Sequence, residues 1–347
     1  MKVWKIIAPL LVASVLAGQS AARAETLPET IRFAGFGQGF GKPHGLGLLA
    51  IAQGKGFIEE AFKDSPVKLS FEYLTGTGPA VNEGIASGRI DFAQYGGLPN
   101  IVGKAAGLPT RVLVSYGRTT IYGVALADQP IQSFKDLKGK RVGVSKGTIL
   151  HWALLKGLEL EGLGLKDIRL IDLKTADQLA ALSAGTIDAS VNSSTVLPLR
   201  DKNIVKVFYD GGKPDAKVSA FGGILVTEDF EKKYPEATQR VTTALVRAAH
   251  WVSDEANREE AIALWARSGV AESSLREEYA DIRLKDVFNP VPDAYFVSLY
   301  HDATAFSKEQ KLIRSDIDFA QWFAPAYAAN AIQALSLDGF WAPRPAL

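Results

Sequence analysis

Apolar residues alternate with polar ones across Val67, Leu69, Phe71 and Tyr73, the period of a half-buried strand. Short apolar runs at residues 30–34, 91–95, 111–116, 141–144, 168–173 and 187–191 predict further strands, and residues 224–226 predict a last one. Between them the spacing turns helical. Helices are expected from about Leu46, over residues 82–87 before the stop at Gly88, and over residues 148–161. Thr175-Ala176-Asp177-Gln178 has the form of a capping box and predicts a helix ending near Gly185. Beyond Gly223 the pattern is mostly helical: residues 228–234, 236–255, 258–267 and onward to about Ala334. Such alternation predicts an α/β fold of parallel sheets covered by helices.

The pattern occurs twice. Ala86-Ser87-Gly88-Arg89-Ile90-Asp91-Phe92 matches Ser183-Ala184-Gly185-Thr186-Ile187-Asp188-Ala189. Each is a helix end, a glycine stop and an Ile-Asp pair opening a strand. Upstream of each come a strand, a glycine-containing loop and a helix in the same order, which predicts two related lobes. The late helices return most economically to the first lobe. Lobe one is then residues 25–119 plus 225–347, and lobe two residues 120–224. Two crossings form a hinge near residues 119–122 and 222–226, where Gly222-Gly223 suits backbone rotation.

The first 24 residues change the picture. Lys2 and Lys5 precede an apolar run over residues 6–18, and Ala22-Arg23-Ala24 follows as a small-x-small site. This is the form of a secretory signal peptide cleaved after Ala24, so a periplasmic location is expected. Cleavage would remove three bases and no acid, taking the formal charge from +1 to −2. A chain so near neutrality has no electrostatic footprint for nucleic acid. With no cysteine anywhere, disulfides and thiolate metal sites are excluded.

Several phrases together resemble the nitrate/sulfonate/taurine class of ABC-transporter substrate-binding proteins. They are Ala86-Ser87-Gly88-Arg89-Ile90-Asp91, Gly96-Gly97-Leu98-Pro99, Phe134-Lys135-Asp136-Leu137-Lys138-Gly139-Lys140-Arg141-Val142-Gly143-Val144, Lys146-Gly147-Thr148 and Ala184-Gly185-Thr186-Ile187-Asp188-Ala189. The resemblance implies a two-lobed periplasmic-binding-protein fold, type II-like, with a ligand cleft between lobes. It also implies delivery of cargo to an ABC permease in the inner membrane. Asn192-Ser193-Ser194-Thr195 stands where many sulfonate binders carry an aromatic-acid-proline phrase.

Ligands in open α/β sheets sit beyond the carboxyl ends of the strands. Seven loops qualify: residues 36–45, 75–78, 95–100, 117–120, 145–148, 192–195 and 219–223. None contains Asp or Glu, and three contain a base: Lys42, Arg118 and Lys146. Helix N-termini add amide donors that suit anions, so a small anionic or polar ligand is expected. The candidate ligand-binding residues are Gln38, Gly39, Phe40, Lys42, Thr77, Gly78, Tyr95, Gly96, Gly97, Arg118, Thr119, Lys146, Gly147, Thr148, His151, Asn192, Ser193 and Phe221. Lys146-Gly147-Thr148 leads them, with base, glycine and hydroxyl together before a helix; Thr148 also reads as a plain helix cap. An aliphatic sulfonate is the first choice of ligand. Nitrate, taurine, an aromatic carboxylate and a sulfate ester stay open, as does a ligand-sensing subunit.

Catalytic readings find little support. The four histidines lack metal-binding spacing, and there is no Gly-x-Ser-x-Gly elbow or complete Gly-x-Gly-x-x-Gly loop. The cysteine-rich motif of the related thiamine-pyrimidine synthases is absent as well. The expectation is a monomeric, non-enzymatic binder with no cofactor and no metal.

Overall fold

The computed structural model describes residues 27–75, 77–213 and 216–346. The expected signal peptide and its cleavage site lie outside them. Ten strands form two five-stranded sheets. They are β1 (Thr30–Phe36), β2 (Lys68–Leu74), β3 (Phe92–Gly96), β4 (Thr110–Thr119), β5 (Tyr122–Leu126), β6 (Arg141–Val144), β7 (Arg169–Asp172), β8 (Ala189–Asn192), β9 (Val205–Asp210) and β10 (Ala220–Thr227). The first sheet runs β2-β1-β3-β10-β4 and the second β7-β6-β8-β5-β9.

The two orders superimpose position by position. In each, three parallel strands are followed by an antiparallel strand from elsewhere in the chain: β10 beside β3, and β5 beside β8. The Ile-Asp repeat is the signature of this duplication. Asp91 accepts from the backbone N–H of Arg32 at 2.8 Å and from its guanidinium at 2.7 and 2.8 Å. Asp188 accepts from the N–H of Arg141 at 2.7 Å and from its guanidinium at 2.7 and 3.2 Å. The same arginines donate to the carbonyls of Gly88 and Gly185, which end their helices at φ +68° and +66°. Each bracket ties the first parallel strand of a lobe to the helix–strand turn beside it.

Burial explains the reading of the strands. β3 is central and buried throughout, and its one polar side chain, Gln94, accepts from the Leu49 N–H and donates to the Leu46 carbonyl, whereas edge strand β2 alternates. Phe33 on β1 stacks on Phe71 and Phe92 of its two neighbours at 4.8 and 5.3 Å. The late helices pack mainly on the first sheet; Pro235–Ser253 and Pro325–Ala334 share its core with helix Gly47–Gly54.

Three expectations need correction. The last strand spans Ala220–Thr227 rather than 224–226, so Gly222 and Gly223 lie inside a ladder and not at a hinge. A Cβ on Gly222 would stand 2.4 Å from the Tyr95 carbonyl oxygen and 2.2 Å from the Tyr116 ring, so glycine there serves close packing. The first crossing, between β4 and β5, lies within the expected 119–122, whereas the second lies between β9 and β10, ahead of the expected 222–226. Thr175 does not cap its helix: Lys174 is the N-cap, and Gln178 turns inward to bond Leu173, Ser190 and Asn192. The strands β5 and β9 were not anticipated.

Candidate functional site

A cavity of about 80 Å³ opens between the two sheets. Phe36, Gly37 and Gln38 follow β1, Thr77 and Gly78 follow β2, and Gly96 ends β3. From the second lobe come Ser145 and Thr148 after β6, Thr175 after β7 and Ser193 after β8. Tyr116, Thr119 and Ala220 close it at the crossing side, with Pro99, Ile149 and Leu150 completing the wall. The strand ends thus deliver their loops to one place, as the topology requires.

Four helices begin at this wall: Thr77–Ala86, Gly97–Ala105, Ile149–Leu160 and Thr175–Ser183. The first-turn amides of a helix have no acceptor within it, and its N-terminus carries partial positive charge. No Asp, Glu, Lys, Arg or His stands among the described lining residues. The described lining is apolar and hydroxyl-bearing, and the helix N-termini add positive potential to it.

Thr77 has two unusual features. Its φ is +54°, a left-handed conformation that costs a β-branched residue about 1–2 kcal/mol. Its hydroxyl is buried and has no hydrogen-bond partner. Thr148, by contrast, is committed. Its Oγ1 donates to the Ser145 carbonyl at 2.7 Å and accepts from the His151 N–H at 3.4 Å, as an N-cap does.

The candidate residues divide. Gln38, Thr77, Gly78, Gly96, Thr119, Thr148 and Ser193 line the cavity. Lys42 and Lys146 are exposed, and the Lys146 N–H is spent on Asp172 at 3.0 Å, so neither supplies a charge to the wall. His151 is buried one turn into its helix. Burial, with Lys146 nearby, lowers its pKa and keeps it neutral. Its Nδ1 accepts from Gly147 N–H at 3.3 Å, which leaves the proton on Nε2. Asn192 is consumed by Gln178, Ser193 and Thr195. Tyr95 is core. Phe221 packs edge-on to Trp152 and Tyr300, and it fills the space a Cβ on Gly97 would need. Phe40 packs under Gly269. Arg118 pairs with Phe221 in the ladder of β4 and β10. Gly39 and Gly147 lie where the lobes touch: a Cβ on Gly39 would meet Ala176 at 3.4 Å, and one on Gly147 would meet Pro79 at 3.1 Å.

Tyr116, Ile149, Leu150 and Thr175 fell outside the seven loops. Thr175 was legible in principle, since it follows β7 as Ser145 follows β6. Tyr116 gave no signal, because its aromatic ring reads as strand core.

The profile of the NMT1/THI5-like family matches residues 47–258. Two relatives are described as aliphatic sulfonates-binding proteins. The one from Bacillus subtilis is 29% identical over 209 residues, 59% of this chain and 62% of its own length. The one from Escherichia coli is 27% identical over 308 residues, 87% of this chain and 90% of its own length. The chain thus spans less than two thirds of the first relative and most of the second. The crystal structure of the periplasmic sulfonate-binding protein SsuA from Methylobacillus flagellatus superimposes with a TM-score of 0.79 at 28% identity, covering 93% of this chain and 99% of that one. The architecture is accordingly the two-lobed α/β fold of periplasmic binding proteins, and the chain belongs to the NMT1/THI5-like family.

Proposed function

We propose that this chain is the periplasmic substrate-binding subunit of an ABC importer and that it captures a small aliphatic sulfonate in the cleft between its lobes, delivering it to an inner-membrane permease. The observation that carries this reading is the cavity wall: four helix N-termini and several hydroxyls, with no carboxylate and no base among the described lining residues. A sulfonate spreads one charge over three oxygens and is held well by many amide and hydroxyl donors. The apolar part of the wall, Phe36, Pro99, Ile149 and Leu150, suits an alkyl tail. The relatives' descriptions support the same ligand class. Lobe one is taken as the first sheet with the late helices, and lobe two as the second sheet.

Selectivity follows from the same wall. The ammonium group of taurine meets no carboxylate among the lining residues, so ethanesulfonate should bind more tightly. Nitrate leaves the apolar wall unfilled. Calorimetric titration and thermal unfolding with ethanesulfonate, taurine, nitrate, a sulfate ester and an aromatic carboxylate test this. Ethanesulfonate at a hundred times its Kd is expected to add about 2.7 kcal/mol of stability. Stabilisation by nitrate or the carboxylate, with none by any sulfonate, would overturn the ligand class.

A further inference from the structure

Away from the cavity, helix Glu272–Tyr279 meets the turn after β8. Leu275 and Tyr279 anchor this helix in the first lobe's core. Its Glu278 is buried, and Oε1 accepts from the Thr120 N–H in the crossing between β4 and β5 at 3.3 Å. The Ser194 hydroxyl, from the second lobe, faces the same carboxyl, and it is buried with no hydrogen-bond partner within bonding distance. One residue away, Glu277 reaches into the second lobe and pairs with Arg200, one of the contacts being 2.7 Å.

We infer that Glu278 is a proton-binding site at the seam between the lobes, and that a proton taken up there stabilises the closed cleft. Among the described side chains, no cation compensates its charge. Arg200 is held by Glu277 and Asp201, Arg276 by Glu259 and Glu272, and Arg258 by Glu255 and the Tyr279 carbonyl. Asp210 at the end of β9 adds like charge. The phenols of Tyr116, Tyr122 and Tyr279 around it are kept neutral by burial. Burial pushes the Glu278 carboxyl up to about 7, against the opposing pull of the Ser194 hydroxyl and the Thr120 N–H, and Asp210 adds the smallest push.

The sign follows. In an opened, hydrated seam the carboxyl returns toward the ordinary value of about 4.3. Between the two values closing takes up a proton, so a falling pH favours closure. Above the upper value both forms are ionised and the closed form bears the full burial cost. Below the lower value both are neutral and the dependence vanishes.

The inference rests on the two-lobed cleft of the proposed function but not on the ligand, so it is tested without one. The chain has no cysteine, so Glu83→Cys and Asp177→Cys place unique spin labels on the two exposed helix faces across the cleft. The label distance is expected to lengthen as the pH rises from about 5 to about 9, with a midpoint near that of the buried carboxyl, and to stay short throughout in Glu278→Gln. A flat wild-type curve, or the same curve in both chains, overturns the inference. Should Glu278→Gln fail to fold, infrared spectroscopy of the parent chain decides. A protonated-carboxyl band persisting at about pH 6 supports the site, and its absence there sinks it. Ethanesulfonate at fixed pH serves as a separate control: labels that ignore it indict the cleft reading rather than the proton.

Discussion

Thr77 and Thr148 look alike in sequence, a hydroxyl at a helix start, and the structure gives them opposite situations. Thr77 holds a strained backbone and an unbonded hydroxyl at the cavity, the combination expected where strain is kept for binding. Thr77→Gly should therefore raise the stability of the ligand-free chain by about 1 kcal/mol while weakening ethanesulfonate binding about tenfold. Unfolding and titration on one preparation check both signs. Thr148→Ala should do the reverse, costing about 1 kcal/mol of stability as a lost cap and moving affinity less. Residues that touch the cavity through backbone or at a strand end, such as Gly96, were legible because loop position alone locates them. Lys146 was over-read because charge in a sequence says nothing of where four methylenes will point. Thr175 was under-read because a capping pattern offered its hydroxyl another use.

At the level of elements, the strands and helices were largely readable, because one buried face imposes a period of 2.0 or 3.6. The strands β5 and β9 escaped because they join the second sheet antiparallel, outside the strand–helix rhythm. The Ile-Asp repeat was visible as a phrase, but its partner arginines lie 59 and 47 residues upstream and carry no local mark. Asp188→Asn should cost about 1.5–3 kcal/mol, since a largely buried acceptor of charged and backbone donors is weakened. The pair with Arg141 lowers the Asp188 pKa. Its stabilising contribution is thus present above the ordinary carboxylate value and lost as the pH falls through the lower, folded one. Urea melts of both chains should accordingly differ at neutral pH and converge in acid. At the end of β3, a Cβ on Gly96 would stand 2.7 Å from the Ile149 Cβ across the cleft. Gly96→Ala is expected to prop the lobes apart and lower affinity at least tenfold, with little change in the melting of the ligand-free chain.

For the whole molecule, ligand should hold the lobes together, and solution scattering with saturating ethanesulfonate should give a smaller radius of gyration than without it. In Gly96→Ala the two curves should coincide. Two related lobes were expected from the repeated phrase, and a last strand at residues 224–226, but the place of that strand between β3 and β4 was not, because nothing local to residues 220–227 names their neighbours. That strand has a consequence for synthesis. β10 lies between β3 and β4, yet the entire second sheet separates it from them in the chain. Translation runs from the amino end, so β5 through β9 are complete before β10 exists. A chain stopped after residue 213 should show slow hydrogen exchange in the second sheet and fast exchange in the first. Until β10 arrives, the facing edges of β3 and β4 stand unpaired, a ready template for aggregation. A chaperone holding the nascent chain would find its handle there.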